Sequence, residues 1–141
     1  MKSLKIAILS YRSAPFGGGQ GVYVRDLSDA LKKIGHKVTI ISGPPYPHLP
    51  KDTKLIELPG MNLFETFNFK DRLKKFIASE KNFTNIFEFF STLFGGFPEL
   101  QTFGYRANKF LKNSDYDVII DNQSISYGML KLQKQFPLIE I

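Results

Sequence analysis

Short apolar runs that alternate with helical stripes dominate the chain. Residues 5–9 read KIAIL, a nearly continuous apolar run that is typical of a strand buried on both faces of a parallel sheet. Comparable runs predict four further strands, at 37–42, 55–58, 116–121 and 137–141. Strands that alternate with helices indicate an α/β fold, in which helices cover both faces of a mostly parallel sheet.

Apolar residues recur at helical spacing between these strands. The helix after the first strand presents one stripe, made of Tyr23, Leu27, Ala30, Leu31 and Ile34. Gly35 follows this stripe and predicts the end of the helix. A helix that opens at Pro98 and Glu99 is predicted to turn four residues inward, namely Phe103, Ala107, Phe110 and Leu111. A last helix is predicted over 124–135.

The order of the strands follows from the handedness of parallel crossovers. Connections between parallel strands are right-handed in nearly all proteins, which predicts a doubly wound, Rossmann-like sheet with the strand order 3-2-1-4-5. In that order the chain changes direction between the first and fourth strands. The loop after the first strand and the turn at 121–123 then open into one crevice at the carboxyl edge of the sheet, which is the expected binding site.

A glycine-rich loop leads into the first helix. Its residues are Phe16, Gly17, Gly18, Gly19, Gln20 and Gly21. The free N–H groups and the positive dipole end of a helix favour an anion such as a diphosphate, and glycines let the ligand approach the backbone. The alternative is a flexible connector. The phosphate motifs GxGxxG and GxxxxGKS/T are absent, which argues against a dinucleotide site and a P-loop.

The turn after the fourth strand carries hydrogen-bonding side chains. Asp121, Asn122 and Gln123 suit the hydroxyls of a sugar or polyol, and Tyr127 would stack beside them. The alternative is that this turn caps the next helix, with Ser124 satisfying backbone N–H groups. The two roles are compatible, so both stay open.

Segment 61–105 is predicted to be a helical insertion of unusual composition. Of the 14 phenylalanines, 12 lie between Phe64 and Phe110. One predicted helical stripe contains Leu73, Phe76 and Ile77. A second contains Phe83, Ile86, Phe87, Phe90, Leu93 and Phe94, and Phe89 lies off it and is predicted to be exposed. The basic residues are Lys70, Arg72, Lys74, Lys75 and Lys81. Core packing with a solvated basic face is the favoured interpretation, and peripheral contact with a membrane is the alternative.

Composition and charge narrow the function classes. The 141 residues form one domain, and without cysteine the chain has no disulfide, zinc–thiolate site or thiol nucleophile. The net charge of +6 favours anionic partners, but no RNP-like or OB-fold pattern supports nucleic acid. No apolar run is long enough to span a membrane. We expect a cytoplasmic protein without metal or other cofactor, in which His36 and His48 occupy surface positions.

Together these segments resemble the N-terminal domain of a GT-B glycosyltransferase of the glycosyltransferase 4 family. The resemblance rests on KIAIL, on GGGQG with Tyr23 and Leu27, on GHKVTIISG at 35–43 and on YDVIIDNQ at 116–123. It implies a retaining enzyme that transfers a sugar from a nucleotide diphosphate donor to a hydroxyl acceptor. Gly18, Gly19 and Gly21 would face the donor diphosphate. We place the acceptor beside Tyr23, Asp121, Asn122, Gln123 and Tyr127.

The resemblance also defines what the 141 residues lack. The family's donor-binding domain has no counterpart here, so we expect a fragment or a subunit of a split enzyme that is inactive alone. No catalytic base is identified. The alternative is a non-catalytic module that binds a phosphorylated or sugar ligand. The last strand would expose an apolar edge, which predicts a homo-oligomer or dependence on a second chain.

Overall fold

One parallel sheet runs through the molecule. The computed structural model describes residues 2–15, 19–63, 65–122 and 127–141. Its strands are β1 (Lys5–Ser10), β2 (Lys37–Ser42), β3 (Lys54–Glu57), β4 (Val118–Asn122) and β5 (Leu138–Glu140). They are all parallel and lie in the order β3-β2-β1-β4-β5. The predicted α/β fold and its strand order are therefore confirmed.

Helices cover both faces of this sheet. They are α1 (Gly19–Lys33), α2 (Phe69–Ala78), α3 (Phe83–Leu93), α4 (Glu99–Leu111) and α5 (Tyr127–Gln133). α1 packs on one face of the sheet, and α4 and α5 pack on the other. Among the described helices, none combines the length and the hydrophobicity that crossing a membrane requires.

Side chains of β1 enter two separate cores. Ile6 and Ile8 pack with Val24 of α1. Ala7 and Leu9 point to the opposite face and pack with residues of α4 and α5. Because both faces of β1 are buried, the strand has no alternation of apolar and polar residues, as its sequence predicts.

The buried face of α1 differs from the predicted stripe. The stripe is wrong for three exposed residues, Tyr23, Ala30 and Ile34. The side chains that enter the core are Val24 and Ser28, with Leu27 and Leu31 partly buried. Gly21 explains this rotation, because a Cβ there would lie 2.6 Å from the Ala14 carbonyl oxygen. The helix is pressed against the preceding loop at Gly21, and the residues three and seven positions later share that face.

α4 follows its prediction with one exception. Phe103, Ala107 and Leu111 are buried against the sheet, whereas Phe110 is 40% exposed. The three buried residues are spaced by four, so they form one row along the helix. Phe110 lies beside this row, and its predicted burial is wrong.

The prediction for α3 is wrong about which of its two faces is buried. Its apolar stripe is exposed, and Phe89, which was predicted to be exposed, is buried at 5%. The ring of Phe89 stacks on that of Phe76, with centroids 4.4 Å apart. The physical reason is the neighbouring residue Glu88, which is fully buried and forms an ion pair of 2.6 Å with Arg106 of α4. Since Glu88 must face Arg106, Phe89 turns inward beside it.

A small core of its own holds the insertion together. It contains Met61, Leu63 and Phe89, with Leu73 and Phe76 packed against it. Two buried carboxylate contacts fix the segment before α2, because the Met61 and Leu63 N–H groups donate to Glu88 and Glu99. The insertion therefore packs as a satellite of the main sheet.

Candidate functional site

A cleft opens at the carboxyl edge of the sheet, between the start of α1 and the end of β4. Its volume is about 560 Å³, and its walls are formed by Gly19, Gln20, Tyr23, Asn122 and Ile141. It lies beside the point where the chain changes direction between β1 and β4, where ligands bind in open α/β sheets. The structure thus brings four predicted site residues together around one cleft.

The remaining predicted site residues fall into two groups. Phe16, Gly17, Gly18 and Gln123 lie outside the described residues. Tyr127 is the first residue of α5, and Asp121 is buried in β4 next to Asn122. Ile141 was not predicted as a site residue. The strand order would have indicated it, because β5 lies beside β4 and ends at the same edge of the sheet.

The two described glycines of the loop play different structural roles. A Cβ at Gly19 would meet no atom of the described residues within 4 Å, so among these residues the position faces open space at the cleft. A Cβ at Gly21 would clash with the carbonyl oxygens of Ala14 and Ser13. Gly21 is therefore needed for packing, and Gly19 is the glycine whose backbone a ligand would approach.

The loop that follows β1 is fixed against the end of β2. The Ser13 hydroxyl donates to that of Ser10 at 2.6 Å, and the Ser13 N–H donates to the Pro45 carbonyl at 2.9 Å. A Cβ at Gly43 would lie 2.4 Å from the Tyr11 carbonyl oxygen, so this glycine permits the close approach of the two loops. The loop is thereby anchored to the ends of β1 and β2.

Asn122 presents a buried amide at the cleft. The residue is 2% exposed, and its Nδ2 group has no hydrogen-bond partner among the described residues. A buried donor without a partner costs free energy, which an oxygen-bearing ligand would recover. Tyr23, which is half exposed, offers a ring on the opposite wall.

Charged side chains near this edge were not identified from the sequence. Arg12 forms an ion pair of 3.1 Å with Glu65 and so connects the loop after β1 to the insertion. Burial raises the pKa of Tyr46, and the nearby charge of Glu57 adds to this shift. The ion pair of Arg12 and the surroundings of Tyr46 arise from contacts between segments that are distant in sequence, and a single sequence does not reveal such contacts.

A second cavity, of about 670 Å³, lies at the opposite, amino edge of the sheet. Its walls carry lysines that are paired with carboxylates. A hydrogen bond from Lys5 lowers the pKa of Asp115, and one from Lys32 lowers the pKa of Asp52. Two of its four lysines, Lys5 and Lys32, are thus paired with carboxylates. Because ligands bind at the carboxyl edge of such sheets, this cavity is not the candidate site.

The two histidines lie away from the cleft, as predicted. Nδ1 of His36 accepts a hydrogen bond from the Leu4 N–H at 3.3 Å, at the amino edge of the sheet. His48 is exposed in the proline-rich segment after β2. Within the described ranges, no three potential ligands from His, Cys, Asp and Glu are grouped closely enough to hold a metal ion.

Comparison with known proteins identifies the family. A family model described as Glycosyltransferase Family 4 matches residues 17–140. An MMP alpha-(1->4)-mannosyltransferase from Mycolicibacterium hassiacum is 40% identical over 141 residues. The match covers 96% of this chain and 34% of that protein, so the chain spans about a third of the length of this curated relative.

Two solved structures share the fold. Sucrose-phosphate synthase from Thermosynechococcus elongatus matches with a TM-score of 0.52 and 19% identity, over 97% of this chain and 32% of that chain. The C-terminal domain of a hydrogenase from Pyrococcus furiosus matches with a TM-score of 0.58 and 16% identity, over 100% of this chain and 94% of that chain. Because proteins of different function share this fold, the likeness by itself does not assign an activity. The family match over residues 17–140 does decide the relationship, and the chain belongs to glycosyltransferase family 4.

Proposed function

We propose that this chain is the acceptor-side domain of a retaining glycosyltransferase, which transfers a sugar from a nucleotide diphosphate donor to a hydroxyl acceptor. The cleft at the carboxyl edge carries the proposal. Gly19 and Gln20, at the start of α1, border the cleft together with Asn122 of β4. A site for an anion and a site for a hydroxyl would therefore adjoin each other.

The start of α1 suits the leaving group of the reaction. Transfer breaks the bond between the anomeric carbon and the diphosphate oxygen, forms a bond to the acceptor oxygen and releases the proton of the acceptor hydroxyl. Negative charge develops on the diphosphate as the first bond breaks. The N–H groups in the first turn of a helix have no intrahelical partners, so they would stabilise this charge. The open space at Gly19 supports an approach of the diphosphate to that turn.

Asn122 and Tyr23 suit the acceptor. The Nδ2 group of Asn122 would donate a hydrogen bond to a hydroxyl oxygen of the acceptor, and the ring of Tyr23 would lie against a sugar face. We assign no catalytic base. The predicted roles of Asp121, Gln123 and Tyr127 at the acceptor stay predictions.

The relative in Mycolicibacterium hassiacum favours mannose as the transferred sugar, because it is a mannosyltransferase. That protein is about three times as long as this chain, which is consistent with a donor-binding domain outside these 141 residues. We propose that such a domain completes the active site and that the 141 residues alone transfer no sugar. The predicted homo-oligomer and the cytoplasmic location stay predictions.

Gly19 provides the experiment, because its substitution leaves the core untouched. Gly19→Val places a branched side chain between the ligand and the first turn of α1, whereas the matched control Gly19→Ala adds a single methyl group in open space. The loss of one hydrogen bond to a charged ligand weakens binding about tenfold or more. We expect Gly19→Val to raise the Kd for a nucleoside diphosphate and to lower kcat/KM for mannosyl transfer by the enzyme that contains this chain. Equal values for Gly19→Val, Gly19→Ala and the parent would refute a diphosphate site at this turn.

A further inference from the structure

The outward face of α3 is entirely apolar. It presents Phe83, Ile86, Phe87, Phe90 and Leu93, and Phe94 follows directly after the helix. Phe83 is 79% exposed and Phe94 is 89% exposed. The only charged residue of α3 is Glu88, which is buried on the opposite side. We call this set of six residues the α3 face.

The orientation of α3 is fixed by polar contacts on its inner side. Glu88 accepts hydrogen bonds from Arg106, from the Thr102 hydroxyl and from the Met61 N–H. Thr84 and Asn85 are buried on the same side. Turning the apolar face inward would bring Glu88 to the surface and leave the Arg106 guanidinium without its carboxylate. The structure therefore holds the α3 face outward.

The α3 face is large for a monomeric protein. A whole aromatic side chain offers roughly 200 Å² of surface, so the exposed fractions in the α3 face amount to on the order of 600 Å². Phe67 and Phe97 are also exposed in the same insertion. Such an area reaches the upper limit for the largest apolar patch of a typical monomer, and patches of this kind mark interaction sites.

The segment that carries the α3 face is positively charged. Residues 66–98 carry five basic side chains and three carboxylates, and one of these carboxylates, Glu88, is buried in its ion pair. The surface of this segment therefore has an excess of three positive charges. Nζ of Lys81 lies 4.6 Å from the centroid of Phe76, and that centroid lies 6.5 Å from the centroid of Phe90. Lys70 and Lys74 are exposed on α2, which packs against α3 through Phe76 and Phe89, and Lys74 lies 3.7 Å from Asp71.

An apolar cavity opens at the C-terminal end of α3. Its volume is about 340 Å³, and its walls include Leu63, Phe67, Phe97 and Pro98. Arg72 and Glu99 line the same cavity, and Nη1 of Arg72 donates to the Thr92 carbonyl at 3.4 Å. A narrow hydrocarbon chain would fit such a cavity, whereas a flat protein surface would leave it unfilled.

We infer that the α3 face, together with Lys81 and with the exposed Lys70 and Lys74 of α2, binds the interface of a bilayer that contains anionic lipid. Uncharged aromatic rings enter the boundary between headgroups and acyl chains, and the flanking lysines attract the headgroup phosphates. The overall charge of +6 adds to this attraction. The inference does not depend on the proposed sugar transfer, because vesicle binding is measured without substrate.

A tryptophan reporter tests the contact directly. The chain contains no tryptophan, so Phe94→Trp places a single fluorophore in the α3 face. Leu130→Trp is the matched control, because Leu130 is half exposed on α5. With vesicles of phosphatidylglycerol we expect the emission of Phe94→Trp to shift to shorter wavelength and that of Leu130→Trp to stay unchanged. With vesicles of phosphatidylcholine alone we expect little change in either variant.

Co-sedimentation with the same vesicles separates the apolar and the electrostatic contributions. Phe83→Ser and Phe94→Ser remove rings that make few internal contacts, so circular dichroism should report an intact fold. Each substitution should weaken binding to the vesicles about tenfold or more. Lys70→Glu together with Lys74→Glu should weaken binding to anionic vesicles by at least the same factor, whereas Lys134→Glu, in the turn after α5, should have a small effect.

Three results would overturn the inference. One is the absence of binding to anionic vesicles by the parent protein. Another is binding that persists undiminished in the folded Phe83→Ser and Phe94→Ser variants. The third is a stable dimer in light scattering that these two substitutions dissociate, because the α3 face would then be an interface between two copies of the chain.

Discussion

The central strands bury their apolar side chains, whereas helix α3 exposes most of its own. In β1 and β2 nearly every side chain is buried, and Ile8 and Ile40 are fully enclosed between the two helical layers. In α3 the buried side carries Thr84, Asn85 and Glu88, and most of the phenylalanines face outward. Hydrophobic periodicity identifies an apolar face in both regions, but it does not identify what covers that face.

Polar residues decide the orientation where apolar residues do not. Burial of a charge without a partner costs more free energy than exposure of a ring, so the Glu88–Arg106 pair determines how α3 is rotated. In β1 and β2 the buried side chains carry no charge, so burial of apolar surface competes with no buried ion pair there. The comparison can be tested by disturbing each region in turn.

The largest effect is expected from breaking the buried ion pair. Arg106→Leu leaves Glu88 enclosed without its cation, which costs about 3–5 kcal/mol of unfolding free energy. Urea unfolding monitored by circular dichroism would measure this loss. The double variant with Glu88→Leu and Arg106→Leu removes both charges and should recover most of it. A double variant as unstable as the single one would show that the pair does not orient α3.

A smaller effect is expected from removing apolar side chains, and it should differ sharply between the two regions. Ile40→Ala empties part of the core and should lower the unfolding free energy by about 2–5 kcal/mol. Phe83→Ala removes a larger side chain from the surface and should change it by at most about 0.5 kcal/mol. Comparable losses in the two variants would mean that the α3 face is packed in the folded protein.

The smallest effect concerns the surface pair Lys5–Asp115 at the amino edge. Their hydrogen bond lowers the pKa of Asp115 below 3.8 and raises the pKa of Lys5 above 10.5. Asp115 stabilises the folded state above pH 3.8, and this stabilisation is lost as the pH falls through its lowered pKa. Lys5 stabilises the folded state below pH 10.5, and this stabilisation is lost as the pH rises through its raised pKa.

Asp115→Asn should therefore lower Tm slightly at neutral pH, and this difference should disappear in acid, well below pH 3.8. Glu80→Gln serves as the control, since it removes one exposed carboxylate of the insertion. A Tm difference that is the same in acid and at neutral pH would assign the effect to something other than the charge of Asp115.

The architecture of the sheet could be predicted from the sequence because each strand is a local pattern and the crossover rule arranges them. The same rule placed the start of α1 and the end of β4 at one edge, where Gly19 and Asn122 now border a cleft. Contacts between distant segments could not be predicted in this way. The Arg12–Glu65 pair joins residues from two different parts of the chain, and neither has a local signature.

The errors within helices have a common physical cause. A helical stripe read from apolar residues alone is uncertain by about one position, since neighbouring residues lie 100° apart around the axis. The contact of Gly21 with Ala14 rotates α1 so that Val24 replaces Tyr23 in the core. In α4 the row that contains Leu111 leaves Phe110 at the margin. Tertiary contacts determine the final rotation of each helix about its own axis.

β1 meets its two neighbours after very different lengths of chain. Leu4 and His36, at its junction with β2, are 32 residues apart, whereas Lys5 and Asp117, at its junction with β4, are 112 residues apart. Closing the longer loop costs about 1 kcal/mol more in chain entropy, and such distant pairings form slowly. We expect the unit from β1 to β2 to fold first. One edge of β1 then stays unpaired until β4 joins it, which makes that pairing the step at which folding and aggregation compete.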